Sequence, residues 1–241
     1  MKTTRTFLVI FTLLILASTG LMGSCIDVTG VKGDGNVVKE DRSVSGFTSL
    51  EVGGAFQVFL TQGKSESLSV EADKNLMQYI KTEVKGDKLM IYTEESISKF
   101  TKLNIYLTFE ELEMIDISGA VNITGENMMK FDELHFEGSG ASEIKLSMEV
   151  SMLKADFSGA SEIELNGHAA IATFDLSGAS SIEAYDFVIS NCELDVSGAA
   201  DARINVSDNL EVDVSGAASV KYKGSPHVKS DISGAGSLVS Y

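Results

Sequence analysis

Hydrophobic and polar residues alternate with a period of two along most of the chain from Val44 onward, the pattern of half-buried β-strands. Phe47, Leu50 and Val52, then Phe56, Val58 and Leu60, are interleaved with polar neighbours. Gln62-Gly63-Lys64 reads as a turn, and Ser67 to Ala72 as the next strand. Asp73-Lys74-Asn75 predicts the capped start of a short helix through Ile80, with Leu76, Met77 and Ile80 on one side. Val84, Leu89 and Ile91 then flank a hairpin turn at Lys85-Gly86-Asp87, and Leu103, Ile105 and Leu107 mark a further strand.

The second half is ruled by one motif, Asp-hydrophobic-Ser-Gly-Ala. It stands at 116–120, 156–160, 175–179, 195–199, 213–217 and 231–235, and the variant Glu137-Gly138-Ser139-Gly140-Ala141 fills the one gap. The motif glycines are 21, 19, 19, 20, 18 and 18 residues apart. Glu51-Val52-Gly53-Gly54-Ala55 is a degenerate copy. A period this short is one stacking unit, not a duplicated domain. Aligned on the acidic residue, apolar side chains fall at odd offsets: Leu134, Leu153, Cys192 and Leu210 three before it, Phe136, Phe174 and Leu194 one before, Ile144, Ile163 and Ile182 seven after. Charged residues such as Glu164, Glu183 and Arg203 hold even offsets, so odd positions are expected to face inward, the motif glycine among them. Stacking the seven copies about 4.8 Å apart gives a column of about 29 Å. The predicted fold is therefore all-β, a right-handed parallel β-helix (a solenoid) of 18–21 residues per coil with a short helix in the N-terminal half. The single proline, Pro226, suits uninterrupted strand pairing. A closed up-and-down barrel would not explain one motif per repeat.

The N-terminus changes the picture of where the chain works. Lys2 and Arg5 precede an apolar run, Phe7 to Leu16, too short to span a bilayer and typical of a secretory signal. Leu21-Met22-Gly23-Ser24-Cys25 resembles a bacterial lipobox, with Met22 where leucine is commonest. The expected organisation is a lipoprotein signal peptide at 1–24, a tether at 25–41 and one domain at 42–241, with Cys25 as the lipid anchor. The formal net charge of −16 becomes more negative when residues 1–24 are removed, because only Lys2 and Arg5 are charged there. Such a chain is a poor partner for nucleic acid or anionic lipid, so its membrane link would be the N-terminal lipid alone. Lipidation of Cys25 leaves Cys192 without a partner, and its apolar alignment makes it a small core residue, not a nucleophile.

Several segments together resemble a known bacterial family, the auto-transporter adhesin head domains, also called GIN domains. They are Arg42 to Val52, Val58 to Gly63, Leu68 to Leu76, Ile115 to Ala120 and Tyr222 to Pro226, in order along the chain. Phe109 departs from the proline many members have before the first repeat. The resemblance implies a β-helix, a location in the cell envelope and a binding role, and brings no catalytic residues.

The sequence offers one candidate surface, the acidic ladder of Asp116, Glu137, Asp156, Asp175, Asp195, Asp213 and Asp231. Stacked carboxylates repel by about 1 kcal/mol in water, so something must offset them. Each could fix its own corner by accepting a backbone N–H two residues on. Alternatively the row could form weak calcium sites, which need several oxygens each. The double-glycine nonapeptide of calcium-binding β-rolls is absent, which favours the structural reading. His135, His168 and His227 lack metal-ligand spacing, and no Gly-x-Ser-x-Gly elbow, phosphate loop or His-Glu-x-x-His occurs. A dinucleotide loop at Gly33-x-Gly35 lacks its strand–helix context. No enzyme activity, metal or cofactor is expected. Polysaccharide-active β-helix enzymes need paired acids in a cleft, and these acids belong to a repeat. The function expected is a non-catalytic binding or adhesion module on an exported protein, lipid-anchored to the outer membrane on its periplasmic side or at the cell surface. Its partner would be an envelope or extracellular protein or glycan. Self-association into a homo-oligomeric structural protein is the alternative.

Overall fold

The computed structural model describes residues 30–241. The expected signal peptide and the expected anchor Cys25 lie outside the described residues. The strands are β1 (Val31–Lys32), β2 (Val37–Arg42), β3 (Ser49–Gly54), β4 (Gln57–Gln62), β5 (Ser67–Asp73), β6 (Ile80–Lys85), β7 (Lys88–Thr93), β8 (Ile97–Lys99) and β9 (Leu103–Phe109). They continue with β10 (Met114–Gly119), β11 (Asn122–Gly125), β12 (Met129–Leu176), β13 (Ser181–Val196), β14 (Asp201–Val214), β15 (Ser219–Lys223), β16 (His227–Ile232) and β17 (Ser237–Ser240). All but β1 and β8, which pair with each other, belong to one sheet that wraps barrel-like and nearly closed around a single core. Within the stretch expected as a tether, Val31–Lys32 and Val37–Arg42 are paired strands.

The expected parallel β-helix with a helix near its start is corrected by the pairing. The sheet is mixed: β2 and β9 flank β5 antiparallel, and β6 pairs antiparallel with β7. The cause of the β6–β7 reversal is local. A tight turn at Gly86, with φ of 67°, returns the chain alongside itself, and only antiparallel strands can be joined so directly. No α-helix exists among the described residues; the segment after β5 is a single 3-10 turn, Lys74–Leu76. Asp73 makes no capping bond to that turn. Its carboxylate instead accepts the backbone N–H groups of Gly35 at 2.7 Å and Thr101 at 2.6 Å, tying the N-terminal segment to the start of β9.

Across the repeats, pairing is parallel, and the motif segments stay in register; the register shifts in the stretch between motifs, at Glu164/Asn166 and again after Ala184 and Ile189. Asp116 opposes Glu137 on one side and Glu51 on the other, and Asp175, Asp195, Asp213 and Asp231 follow one another. The apolar odd offsets are inside: Leu134, Leu153, Phe136, Phe174, Ile144, Ile163 and Ile182 are buried, as is Cys192. In the last repeat the equivalent positions are open, with Val228 40% and Ile232 43% exposed.

The motif glycine departs from the inward expectation. Gly178 and Gly198 lie exposed at the corner, with φ of 83° and 84°. A Cβ on either would sit 2.5–2.6 Å from the carbonyl oxygen of the glycine in the preceding repeat. That carbonyl accepts the alanine N–H that follows: Ala179 donates to Gly159 and Ala199 to Gly178, each at 2.8 Å. The corner is thus held mainly by backbone, with the Ser180 hydroxyl also donating to the Ser177 carbonyl at 3.0 Å, and glycine is needed for both its conformation and its closeness.

Candidate functional site

The parallel register turns the acidic residue of each repeat into a row on the outer face. Glu51 heads it, opposite Asp116, so the degenerate first copy takes part in the ladder. Glu51, Asp116, Glu137 and Asp156 are half-buried, while Asp175, Asp195, Asp213 and Asp231 are exposed. None of the ladder carboxylates accepts a corner N–H among the described residues, so the proposed local turn bond is not what holds the bend. Ser139, Ser177 and Ser233 instead point their hydroxyls at carbonyls of the preceding repeat over 3.3–3.5 Å, contacts too long to contribute much.

The two ends of the row differ in how their charge is met. Near the top, Lys88 Nζ is 2.8 Å from Glu51, and Lys154 Nζ is 3.0 Å from Asp156. His135 lies between two carboxylates, 3.1 Å from Asp156 and 3.3 Å from Glu137. Near the bottom, Glu193 and Glu211 stand beside Asp195 and Asp213, and Lys229 pairs with Glu211. The carboxyl groups respond accordingly. Partial desolvation of its exposed side chain by its neighbours, then the Asp213 and Asp175 charges, raises the Asp195 carboxyl above its usual value. Burial, then Glu51 and Glu137, likewise raises Asp116 despite Lys88. Partial burial pushes Asp156 up as well, but hydrogen bonds from Lys154 and His135 outweigh it and leave its carboxyl below the usual value.

A shallow groove runs along this face between Asp116 and Asp175, with Gly138 and Phe157 in its lining. Gly138 takes the place of an apolar residue because the Phe157 ring occupies the space its Cβ would need. The groove's continuation is lined by Asp175, Asp195, Asp213 and Asp231. His168 and His227 are exposed and apart from the row. Cys192 is buried, and burial pushes its thiol up to about 12, the state of a packed and unreactive side chain. Sequence reasoning did not bring His135 and Lys154 to Asp156. The signal was there: both stand two residues before the acidic position of adjacent repeats, so stacking makes them neighbours.

Residues 46–226 match the family described as "Putative auto-transporter adhesin, head GIN domain". The chain belongs to that family. The fold recurs in solved structures. A putative adhesin from Bacteroides fragilis NCTC 9343 is 24% identical, with a TM-score of 0.83 over 88% of this chain and 100% of that one. A putative lipid binding protein from Parabacteroides distasonis ATCC 8503 is 22% identical, with a TM-score of 0.74 over 88% and 99%. A putative adhesin from Parabacteroides merdae ATCC 43184 is 22% identical, with a TM-score of 0.65 over 88% and 98%. At these identities the likeness establishes the fold. No curated protein matches the chain.

Proposed function

We propose that the protein is an exported, lipid-anchored envelope protein whose acidic face is a non-catalytic docking surface. The observation that carries this reading is the row of carboxylates from Glu51 to Asp231, which has fewer cations beside it than charges to meet. A row serving only the fold would gain by losing charge, because the corners are held by backbone and not by these side chains. The partner this face suits is cationic: a basic segment of an envelope or extracellular protein, or a polymer bearing amines. Self-association through the same face is disfavoured, because two acidic rows repel. Lipid binding, the role in the name of the Parabacteroides distasonis structure, finds less support here. The interior is a continuous packed core, and the grooves along this face would repel anionic headgroups.

Cys25 is the proposed anchor, in the outer membrane on either its periplasmic or its outer side. The first described strand opens at Val31. A linker this short reaches about 20 Å even fully extended, so the domain would sit close to the lipid surface. Affinity capture from envelope extracts tests the docking reading. The wild type should retain a partner that elutes with salt, and a variant with Asp175, Asp195, Asp213 and Asp231 all changed to Asn should lose it. Equal capture by both would sink the acidic-face reading. Cys25→Ser should move the protein from the membrane to the soluble fraction, and continued membrane retention would rule out the anchor.

A further inference from the structure

We infer that His135, Glu137 and Asp156 form a binding site for a divalent transition metal, with zinc the ion best suited to their donor set. The three come from two neighbouring repeats brought together by the parallel stack. One donor atom from each lies within 4.8 Å of the others. The His135 ring nitrogen is 3.1 Å from Asp156 Oδ2 and 3.3 Å from Glu137 Oε1. Zinc bound tetrahedrally at 2.0–2.1 Å separates its ligands by about 3.3 Å, so two edges of the required triangle are already at length. The third closes by a small movement of two partly exposed side chains.

This place differs from the rest of the ladder in the features a metal needs. His135 supplies the only imidazole in the row, and a nitrogen with two carboxylates selects zinc over calcium, which takes six to eight oxygens. Glu137 replaces the repeat's aspartate and reaches one carbon further from the backbone. Glu137 and Asp156 also line the shallow outer groove, so a fourth position beside the cluster faces solvent and can take water or a ligand. An open fourth position is the arrangement that lets a bound zinc take an additional donor from a partner.

One cation already competes. Lys154 Nζ is 3.0 Å from the same Asp156 oxygen that His135 approaches. The lysine side chain is about half exposed, at 53%, and can turn into solvent when a metal takes its place. This gives the site a signature that an ordinary ion-pair cluster lacks: removing the lysine should strengthen metal binding.

Calorimetric titration of chelator-treated full-length protein with zinc chloride tests the inference. The wild type should bind one equivalent. His135→Gln and Asp156→Asn should each weaken binding at least tenfold, and Lys154→Gln should tighten it several-fold. His168→Gln, His227→Gln and Asp231→Asn should leave it unchanged, and excess calcium should not displace the zinc. All these side chains are at least partly exposed, and thermal melts of the zinc-free variants check that each folds. Undiminished zinc binding by His135→Gln, loss of binding in either other histidine variant, weaker binding by Lys154→Gln, or no binding by the wild type would overturn the site.

Discussion

Gly178 and Gly198 occupy a backbone region closed to most side chains and also touch the carbonyl of the repeat above. Either demand alone disfavours alanine; the left-handed conformation costs about 1–2 kcal/mol, and the carbonyl contact adds to it. Gly198→Ala should therefore destabilise the protein by more than about 2 kcal/mol in urea titration, whereas Ala199→Gly, one residue along on the exposed corner, should cost less than about 1 kcal/mol. Asp73 is the other residue on which much depends. It is fully buried and accepts two backbone N–H groups, chiefly that of Thr101, which hold its carboxyl below the usual range. Asp73→Ala leaves those donors unmet and should cost about 3 kcal/mol. Because the folded carboxyl is lowered, its contribution is present at neutral pH and fades as pH falls below about 3.9 through its folded pKa. A comparison of acid unfolding between Asp73→Asn and the wild type should show the gap closing at low pH.

Among the elements, the acidic row carries the opposite sign. The Asp195 carboxyl is raised by partial desolvation and by Asp213 and Asp175, so the folded state holds its proton more tightly than the unfolded state. Such a group destabilises at neutral pH, and the penalty disappears as pH falls through its folded pKa. Asp195→Asn should raise Tm by about 1–3 °C at pH 7, a gain of under about 1 kcal/mol, and the difference should vanish near pH 3. No gain at pH 7 would mean that neighbouring carboxylates are already relieved by bound cations. The row was legible in the sequence because its register repeats: one aligned motif placed Asp116 through Asp231 on the same line, whereas Glu51, in the degenerate copy, joined the row only through the β3–β10 pairing. The pairing of β4 with β9 and of β5 with β2 was not legible, since these contacts join segments about 30–50 residues apart with no shared motif. The missing helix has a different cause. Asp73 has the chemistry of a cap, but distant backbone donors claimed its carboxylate, and a segment too short to nucleate a helix settled as one 3-10 turn.

At the scale of the molecule, the mixed strands and the stacked repeats share one continuous core. The half built from repeats makes nearly all its contacts with the repeat immediately above or below, while the other half is stitched together by distant pairs. The corner reinforces this locality, since its alanine N–H donates to the glycine carbonyl of the adjacent, preceding repeat. Length is therefore a quantity this architecture can change in whole steps. Excising residues 178–197 joins Ser177 to Gly198, restores an intact Asp-Leu-Ser-Gly-Ala corner and removes one strand layer, about 4.8 Å, from the run of paired repeats. The truncated chain should still unfold in one cooperative transition with an unchanged β-sheet circular dichroism spectrum. Cutting ten residues instead would set a strand against a corner and leave no folded product. A lineage carrying this fold could thus vary how far its face extends without redesigning how any one layer is made.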